Sequence, residues 1–194
     1  MTQGQRVNLG FSGSSFAADR TATVTVRGPN GTPVSQGSEG SPLRLVWLNG
    51  DSDLDLLATE TGTYTLLVAS TDAGTGSFTV TASAPLAPGA LTPGVTKALT
   101  FGRVGQDVTL TYAGTVNQEL SLDRSNNTTP YQPYVTVCTP SGAVLWQDHH
   151  PEHVDLPILP LTGTYTITFS TWSTLGAMNV LLTTRTPATT VSTT

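Results

Sequence analysis

The pentapeptide "TGTYT" at residues 61–65 recurs without change at residues 162–166, and it decides the fold. Threonine at every second position, next to Tyr and followed by Leu or Ile, is typical of a strand with one buried face. We expect Tyr64 and Tyr165 to lie near the edge of a sandwich, each with a buried ring and a hydroxyl group bonded to the backbone. The repeat therefore predicts the same strand in two related units.

The similarity extends beyond the pentapeptide. "GQRVNL" at residues 4–9 matches "GQDVTL" at 105–110, with the offset that relates Gly62 to Gly163. "VTVRGPNG" at 24–31 matches "VTVCTPSG" at 135–142, about ten residues further on in the second unit. A period near one hundred residues is the size of a whole domain. We therefore predict two tandem domains, each with its own core.

Composition indicates the fold class. Alternating Thr, Val and Leu fill the runs between turns, and 19 Gly and 13 Pro of 194 residues separate those runs. We predict an all-β protein of two tandem antiparallel β-sandwiches, jelly-roll or immunoglobulin-like, with six to eight short strands each. The first module spans residues 1–88 and the second 89–185. Residues 84–94, rich in Pro and Gly, are expected to be a short semi-rigid connector, and 186–194 a Thr/Ser-rich linker or tail.

Several of these motifs resemble a known family. The "GQ" opening, the strands that end in "PNG" at 29–31 or "PSG" at 140–142, the "TGTYT" strand and "GTGSFTVT" at 74–81 are similar to bacterial pre-peptidase C-terminal (PPC-like) modules of very large secreted or surface proteins. The resemblance covers nearly the whole chain, twice. It implies β-sandwich modules that accompany catalytic or adhesive partners and are themselves usually non-catalytic. Some members bind calcium or matrix polymers.

The low content of charged residues limits the kinds of partner that the sequence predicts. Only 11% of residues are charged, the net charge is −5, and Lys97 is the single lysine, so a nucleic-acid partner is not expected. No apolar run reaches the ~20 residues that span a bilayer, so membrane insertion is not expected either. Cys138 is the single cysteine, which excludes an intramolecular disulfide and a cysteine-based zinc site. We expect an extracellular or cell-surface location, beside neighbouring domains of a larger chain.

Acidic residues suggest a metal. Asp51, Asp53 and Asp55 alternate just before or within a strand, and alternate carboxylates can converge on calcium, the one cofactor that the sequence suggests. The alternative is that they line the solvent face of a strand.

The segment 149–153, "HHPEH", is a second polar cluster. His149, His150, Glu152 and His153 are suitable zinc ligands, but Pro151 argues against the helix of a His-Glu-x-x-His site, and a solvated turn is the alternative. No Gly-x-Ser-x-Gly elbow is present, and we predict no catalytic residues and no enzymatic activity.

Aromatic residues offer a binding site without catalysis, because a sugar ring stacks on an exposed aromatic ring. Trp172 lies in a turn-like segment, and Tyr131 and Tyr134 flank Pro133 in a loop of about ten residues inserted into the second unit. These three are the predicted ligand-binding residues. The parity of Trp146 with Val144 predicts a core position for Trp146.

Two functions agree with these patterns. In the first, the chain is a non-catalytic structural or adhesive tandem module of a large secreted or cell-surface bacterial protein. In the second, it is an accessory carbohydrate-binding module that tethers an enzyme to polysaccharide, with a surface protein as another partner.

Overall fold

A computed structural model describes residues 1–16, 21–34, 44–47, 51–70, 75–149, 152–171 and 174–185. Residues 21–23, 44–47 and 70 are described by their backbone alone.

The described residues form fourteen strands and no helix, which confirms the all-β prediction. In chain order the strands are β1 Arg6–Ser12, β2 Thr21–Arg27, β3 Arg44–Trp47, β4 Ser52–Leu57, β5 Thr65–Ser70, β6 Thr79–Ser83, β7 Lys97–Phe101, β8 Val108–Gly114, β9 Glu119–Ser125, β10 Tyr134–Cys138, β11 Val144–Asp148, β12 His153–Asp155, β13 Gly163–Ser170 and β14 Gly176–Arg185. Within the described part of the chain, no helix has the length and apolarity to cross a bilayer.

Contacts along the chain separate two compact units. Unit 1 contains Met1–Leu86 together with Phe101–Asp107 and Thr171–Leu175, and unit 2 contains Ala87–Thr100, Val108–Ser170 and Gly176–Thr194. Unit 1 takes short stretches from the second half of the chain, whereas the predicted modules 1–88 and 89–185 are continuous. The module boundaries stay a prediction.

Unit 1 has two three-stranded sheets, with the orders β4-β1-β6 and β3-β2-β5. Their ladders are antiparallel. Alternate positions of the strands point inward, as the period of two requires. The core contains Leu9, Phe11, Val24, Val26, Val34, Leu54 and Leu56. Phe11 also meets the ring of Phe78 at a centroid distance of 5.9 Å.

Unit 2 has two four-stranded sheets, with the orders β11-β10-β13-β8 and β12-β9-β14-β7. Strand β13 shows the burial pattern most clearly, because Tyr165, Ile167 and Phe169 are fully buried while the Thr residues between them are not. Among the described residues, unit 1 has six strands and unit 2 has eight, which are numbers within the predicted range.

The two units correspond strand by strand, but not as the opening motif predicts. Sheet β4-β1-β6 has the same order as β12-β9-β14, and β3-β2-β5 the same order as β11-β10-β13. Strand β1 therefore corresponds to β9, a central strand, whereas the matching letters at 105–110 lead into β8, an edge strand. The predicted equivalence of residues 4–9 with 105–110 is wrong, because a short local match cannot tell which neighbours a strand has.

The equivalence of the two "TGTYT" segments is confirmed. Tyr64 and Tyr165 precede or lie within β5 and β13, and each hydroxyl group bonds to the backbone of the residue four positions earlier. Gly62 and Gly163 both have positive φ, and a Cβ at either would lie within 3 Å of a proline ring, Pro29 or Pro140. The repeated segment is therefore a shared scaffold in which a turn, a proline contact and a tyrosine hydroxyl fix the entry of a strand.

Candidate functional site

The loop between β9 and β10, the insertion predicted from sequence, is held by its own polar side chains. Asn127 Oδ1 accepts hydrogen bonds from the backbone N–H of Thr129 at 3.1 Å and from the Thr129 hydroxyl at 2.7 Å. The Thr129 hydroxyl also lies within hydrogen-bond distance of the carbonyl of Tyr131. Asn and Asp favour such turns because their short side chains reach the backbone two residues on.

The same loop is fixed to the start of β14. The backbone N–H of Thr128 donates to the carbonyl of Ala177 at 2.9 Å, and the N–H of Ala177 donates to the Thr128 hydroxyl at 2.9 Å. A Cβ at Gly176 would lie 2.8 Å from Thr129 Cγ2, so only glycine allows this approach of the two backbones. The inserted loop is therefore held against the start of β14 by the Thr128–Ala177 hydrogen bonds and by the close contact of Thr129 with Gly176.

Arg124, which the sequence did not single out, supports the other end of the loop. Its side chain is buried, and Nη1 donates to the carbonyl of Pro133 at 3.0 Å. Burial lowers the pKa of the Arg124 guanidinium, and the carboxylates of Asp148 and Glu152 oppose that shift. The available signal was the alternation of β9, in which Arg124 follows Leu120 and Leu122 on the inward face just before a Pro-rich loop.

The loop presents Tyr131 to solvent, with 68% of the residue exposed. Tyr134 is half-buried at the start of β10, and its ring centroid lies 4.4 Å from that of His149 in a tilted arrangement. Trp172, the third predicted residue, lies outside the described residues. The structure therefore places Tyr131 as an exposed ring on a braced loop and gives Tyr134 an aromatic neighbour.

The predicted calcium residues lie on β4 and just before it. Asp51 is exposed, Asp53 is buried and Asp55 is half-buried. Asp55 Oδ1 accepts a hydrogen bond of 2.6 Å from Asn8 Nδ2, and both Asp53 and Asp55 have further interactions within the protein.

A segment of unit 1 covers the outer face on which Asn8 and Asp55 lie. Asn8 Nδ2 donates to Asp107 Oδ2 at 3.0 Å, and the N–H of Asp107 lies 3.3 Å from Asn8 Oδ1. The alternating Asp residues thus follow the outer face of the strand, as in the solvent-face alternative, but this face is partly covered. The calcium prediction stays a prediction.

The histidine cluster separates into different surroundings. His153 Nδ1 lies 2.6 Å from Asp123 Oδ1 across the β12–β9 pair, and Nε2 lies 3.3 Å from Asp155 Oδ1. Arg185 Nη1 extends the network to Asp155 Oδ2 at 3.2 Å. The hydrogen bond to Asp123 raises the pKa of His153 above its usual value, with smaller support from Asp155. His149 is instead beside Tyr134, and His150 lies outside the described residues.

No group of three or more His, Cys, Asp or Glu side chains within the described ranges is arranged to hold a metal ion. His153 begins strand β12 and does not lie in a turn, and its ring contacts two carboxylates in an exposed charge network. The zinc site stays a prediction. Asp123 and Arg185 were not predicted from the sequence, because only strand pairing places Asp123 opposite His153 and Arg185 opposite Glu119, the first residue of β9.

No protein-family model matches the chain, and no curated protein sequence is significantly similar to it. Among solved structures, PliG from Aeromonas hydrophila, described as a periplasmic lysozyme inhibitor of g-type lysozyme, resembles part of the chain. The match covers 51% of this chain and 99% of that chain, with 11% sequence identity and a TM-score of 0.36. A likeness of this size supports no statement about function, and the PPC-like resemblance stays a prediction.

Proposed function

We propose that this chain is a non-catalytic structural or adhesive module of a larger secreted or cell-surface protein. The observation that carries the proposal is the repetition of one six-strand arrangement, with the same tyrosine contact at the entry of β5 and β13. A chain that repeats a scaffold gains length and a second folded body. The low content of charged residues and the Thr-rich strands are compatible with an extracellular setting.

Force spectroscopy on the full chain, pulled from both ends, tests the structural role. Two unfolding events are expected, each releasing roughly 300 Å for about 85 residues at about 3.6 Å per residue. Tyr165→Phe should lower the force of one event and leave the other unchanged. A single event that releases the whole chain would contradict two mechanically separate bodies.

A second candidate function, carbohydrate binding, is favoured by Tyr131. An exposed aromatic ring is an effective stacking surface only when its backbone is held, and Asn127, Thr129 and Ala177 hold this loop by the bonds described above. Aromatic side chains provide a large contact area with only two side-chain torsions to fix, which lowers the entropic cost of binding. Trp172 and Tyr134 remain the proposed companions of Tyr131.

Retention on insoluble polysaccharides and on glycan arrays tests this candidate. Tyr131→Ala should reduce retention at least about tenfold, whereas Tyr131→Phe, which keeps the ring, should retain most of it. Ile158→Ala is the matched control, because Ile158 is also an exposed apolar residue of unit 2. Equal retention of the wild type and Tyr131→Ala, or no retention on any polymer, would remove this candidate and leave the structural proposal intact.

A further inference from the structure

The first turn of the chain has a counterpart between β8 and β9. The N–H of Thr2 donates to Gln5 Oε1 at 2.9 Å, as the N–H of Thr115 does to Gln118 Oε1 at 3.1 Å. The N–H of Gly4 donates to the carbonyl of Ala58 at 2.8 Å, and Asn117, its counterpart, donates to Leu159 at the same distance. The turn at residues 2–5 is therefore the turn that follows β8 in unit 2.

Met1 consequently takes the place of Gly114, the last residue of β8. Met1 and Gly62 exchange two backbone hydrogen bonds, of 2.8 and 2.9 Å. Gly114 is likewise the partner of Gly163 in the register of the β8–β13 ladder. In unit 2 that ladder continues along β13 to the pair Phe169–Val108, over seven residue pairs.

Among the strands that the structure describes, two edges of unit 1 lack a partner that the equivalent edges of unit 2 have. Strand β13 is paired with β8 and β14 with β7, but among the described residues β5 pairs on one side with β2 alone, and β6 with β1 alone. Within the described ranges, the outer edges of β5 and β6 therefore have no strand partner, and a strand edge of this kind can accept another strand.

Inward residues of β5 are less buried than those of β13. Ile167 and Phe169 are fully buried in unit 2, whereas their counterparts Leu66 and Val68 are half-buried. These pairs correspond because Leu66 and Ile167 oppose Val26 and Val137, at matching positions of β2 and β10.

The same difference separates β6 from β14. Val80 is 39% exposed, and its counterpart Val180 is 1% exposed. Ala82 is exposed, whereas Leu182 is fully buried. Unit 1 therefore leaves apolar surface accessible along the side between β5 and β6, which β7 and β8 cover in unit 2.

The two open edges carry none of the usual protection against strand addition. Strand β5 reads "TLLVAS" and β6 reads "TVTAS", without a charged residue or a proline. Lys, inward charges and Pro are devices that block edge pairing, and β5 and β6 contain none of them.

We propose that the side of unit 1 between β5 and β6 is a docking site for an extended polypeptide segment with the pattern of β7 and β8. One strand of this segment pairs antiparallel to β5 and directs an apolar residue at every second position toward Leu66 and Val68, as Val108, Leu110 and Tyr112 do in unit 2. The other strand pairs with β6 and covers Val80. Unit 2 is the template for this occupant, because it shows which segment the same fold accepts there.

The test uses a synthetic peptide with the sequence of residues 97–114, added to the full-length chain. Saturable binding is expected, with slower hydrogen exchange of the backbone amides of β5 and β6 and a rise in melting temperature of about 4 °C or more. The control peptide carries Asp in place of Val108 and Leu110, and it should not bind. Because a free peptide can aggregate, a second protein carries a copy of residues 97–113 fused directly ahead of Met1, and it should show the same protection and stabilisation.

Val80→Asp on the full-length chain should abolish peptide binding without unfolding the free chain, because this side chain is partly exposed there. Leu57→Asp is the matched control, because Leu57 is an exposed residue of β4, at the opposite edge of the same sheet. The Leu57→Asp variant should bind the peptide as the wild type does. The proposal would be overturned if the peptide slowed hydrogen exchange in unit 2 alone. It would also be overturned if the monomeric chain bound no peptide and the fused segment gave no stabilisation. Protection of β5 and β6 in a dimer of the free chain would also overturn it, in favour of a second copy.

Discussion

The hydroxyl group of Tyr165 bonds to both backbone groups of Leu161. It donates to the carbonyl at 2.7 Å and accepts from the N–H at 3.2 Å. Tyr64 and Glu60 form the same pair in unit 1, at 2.9 and 3.2 Å. The surroundings differ, because Tyr165 is 1% exposed whereas Tyr64 is half-buried with solvent-exposed hydrogen bonds.

Removing the hydroxyl group should therefore affect the two units unequally. We expect Tyr165→Phe to lower the free energy of unfolding by about 1–2 kcal/mol, because the Leu161 backbone groups lose a partner in a partly buried place. Tyr64→Phe should cost less than about 0.5 kcal/mol, because water replaces the hydroxyl group. Urea denaturation of each variant measures the difference, and equal losses would show that burial does not set the value of this contact.

Gly10 is expected to be intolerant of any side chain. A Cβ at this position would lie 2.0 Å from the carbonyl oxygen of Val104, which is backbone and cannot rotate away. Gly10→Ala should destabilise unit 1 by about 1–3 kcal/mol. Gly102→Ala is the control, since a Cβ there meets no atom within 4 Å. Thermal unfolding followed by circular dichroism compares the two variants, and similar melting temperatures would contradict the close approach of Val104.

His153 should make its contribution to stability at low pH. Its pKa is raised in the folded protein, first by the hydrogen bond to Asp123, so the stabilisation is fully present below the unfolded-state pKa near 6.5 and is lost as pH rises through the folded-state pKa. The melting temperature of wild type relative to His153→Gln should therefore be higher at about pH 5 than at about pH 8.

NMR titration of the His153 ring provides the direct measurement. The midpoint should lie above that of a histidine in an unfolded peptide, and Asp123→Asn should lower it more than Asp155→Asn does. A midpoint at or below the peptide value would refute the role of the Asp123 contact.

Asn127 should control the order of the inserted loop. Asn127→Ala removes the acceptor for the N–H and hydroxyl groups of Thr129, and the Thr129 amide should exchange with solvent about tenfold faster or more. Asn30 is the matched control, because its Oδ1 accepts from the N–H and hydroxyl groups of Thr32 in the same way in unit 1. Asn30→Ala should leave the loop at 126–133 unchanged, and unaltered exchange in Asn127→Ala would argue against the turn as the support of Tyr131.

Local patterns predict the parts of this fold that depend on neighbours in sequence. The alternation in β13 and the tyrosine contacts follow from a period of two and from the amphipathic ring. Trp146 shows the limit. Its core position was predicted from parity with Val144, but a register shift between Val137 and Cys138 interrupts the ladder, and Trp146 is half-buried while Val144 is exposed.

Pairing across long stretches of chain could not be predicted. Asp107 reaches Asn8 across 99 residues, and this contact partly covers a strand face on which solvent was expected beside Asp55. Arg124 is nearer in sequence to its partner, and its burial follows the alternation with Leu120 and Leu122, but its bond to the carbonyl of Pro133 depends on the path of the loop. The exposure of Tyr131 could be predicted, because an inserted Pro-rich loop has no strand neighbour to cover it.

The assignment of residues 101–107 to unit 1 affects how the gene can be divided. A fragment that stops at residue 88 keeps the six described strands of unit 1 but removes the backbone of Val104 beside Gly10 and the carboxylate that Asn8 binds. Such a fragment would expose the strand surface that Val104 and Asp107 contact in the full chain, and low solubility of the fragment would then reflect the place of the cut and not an inability of the six described strands to fold.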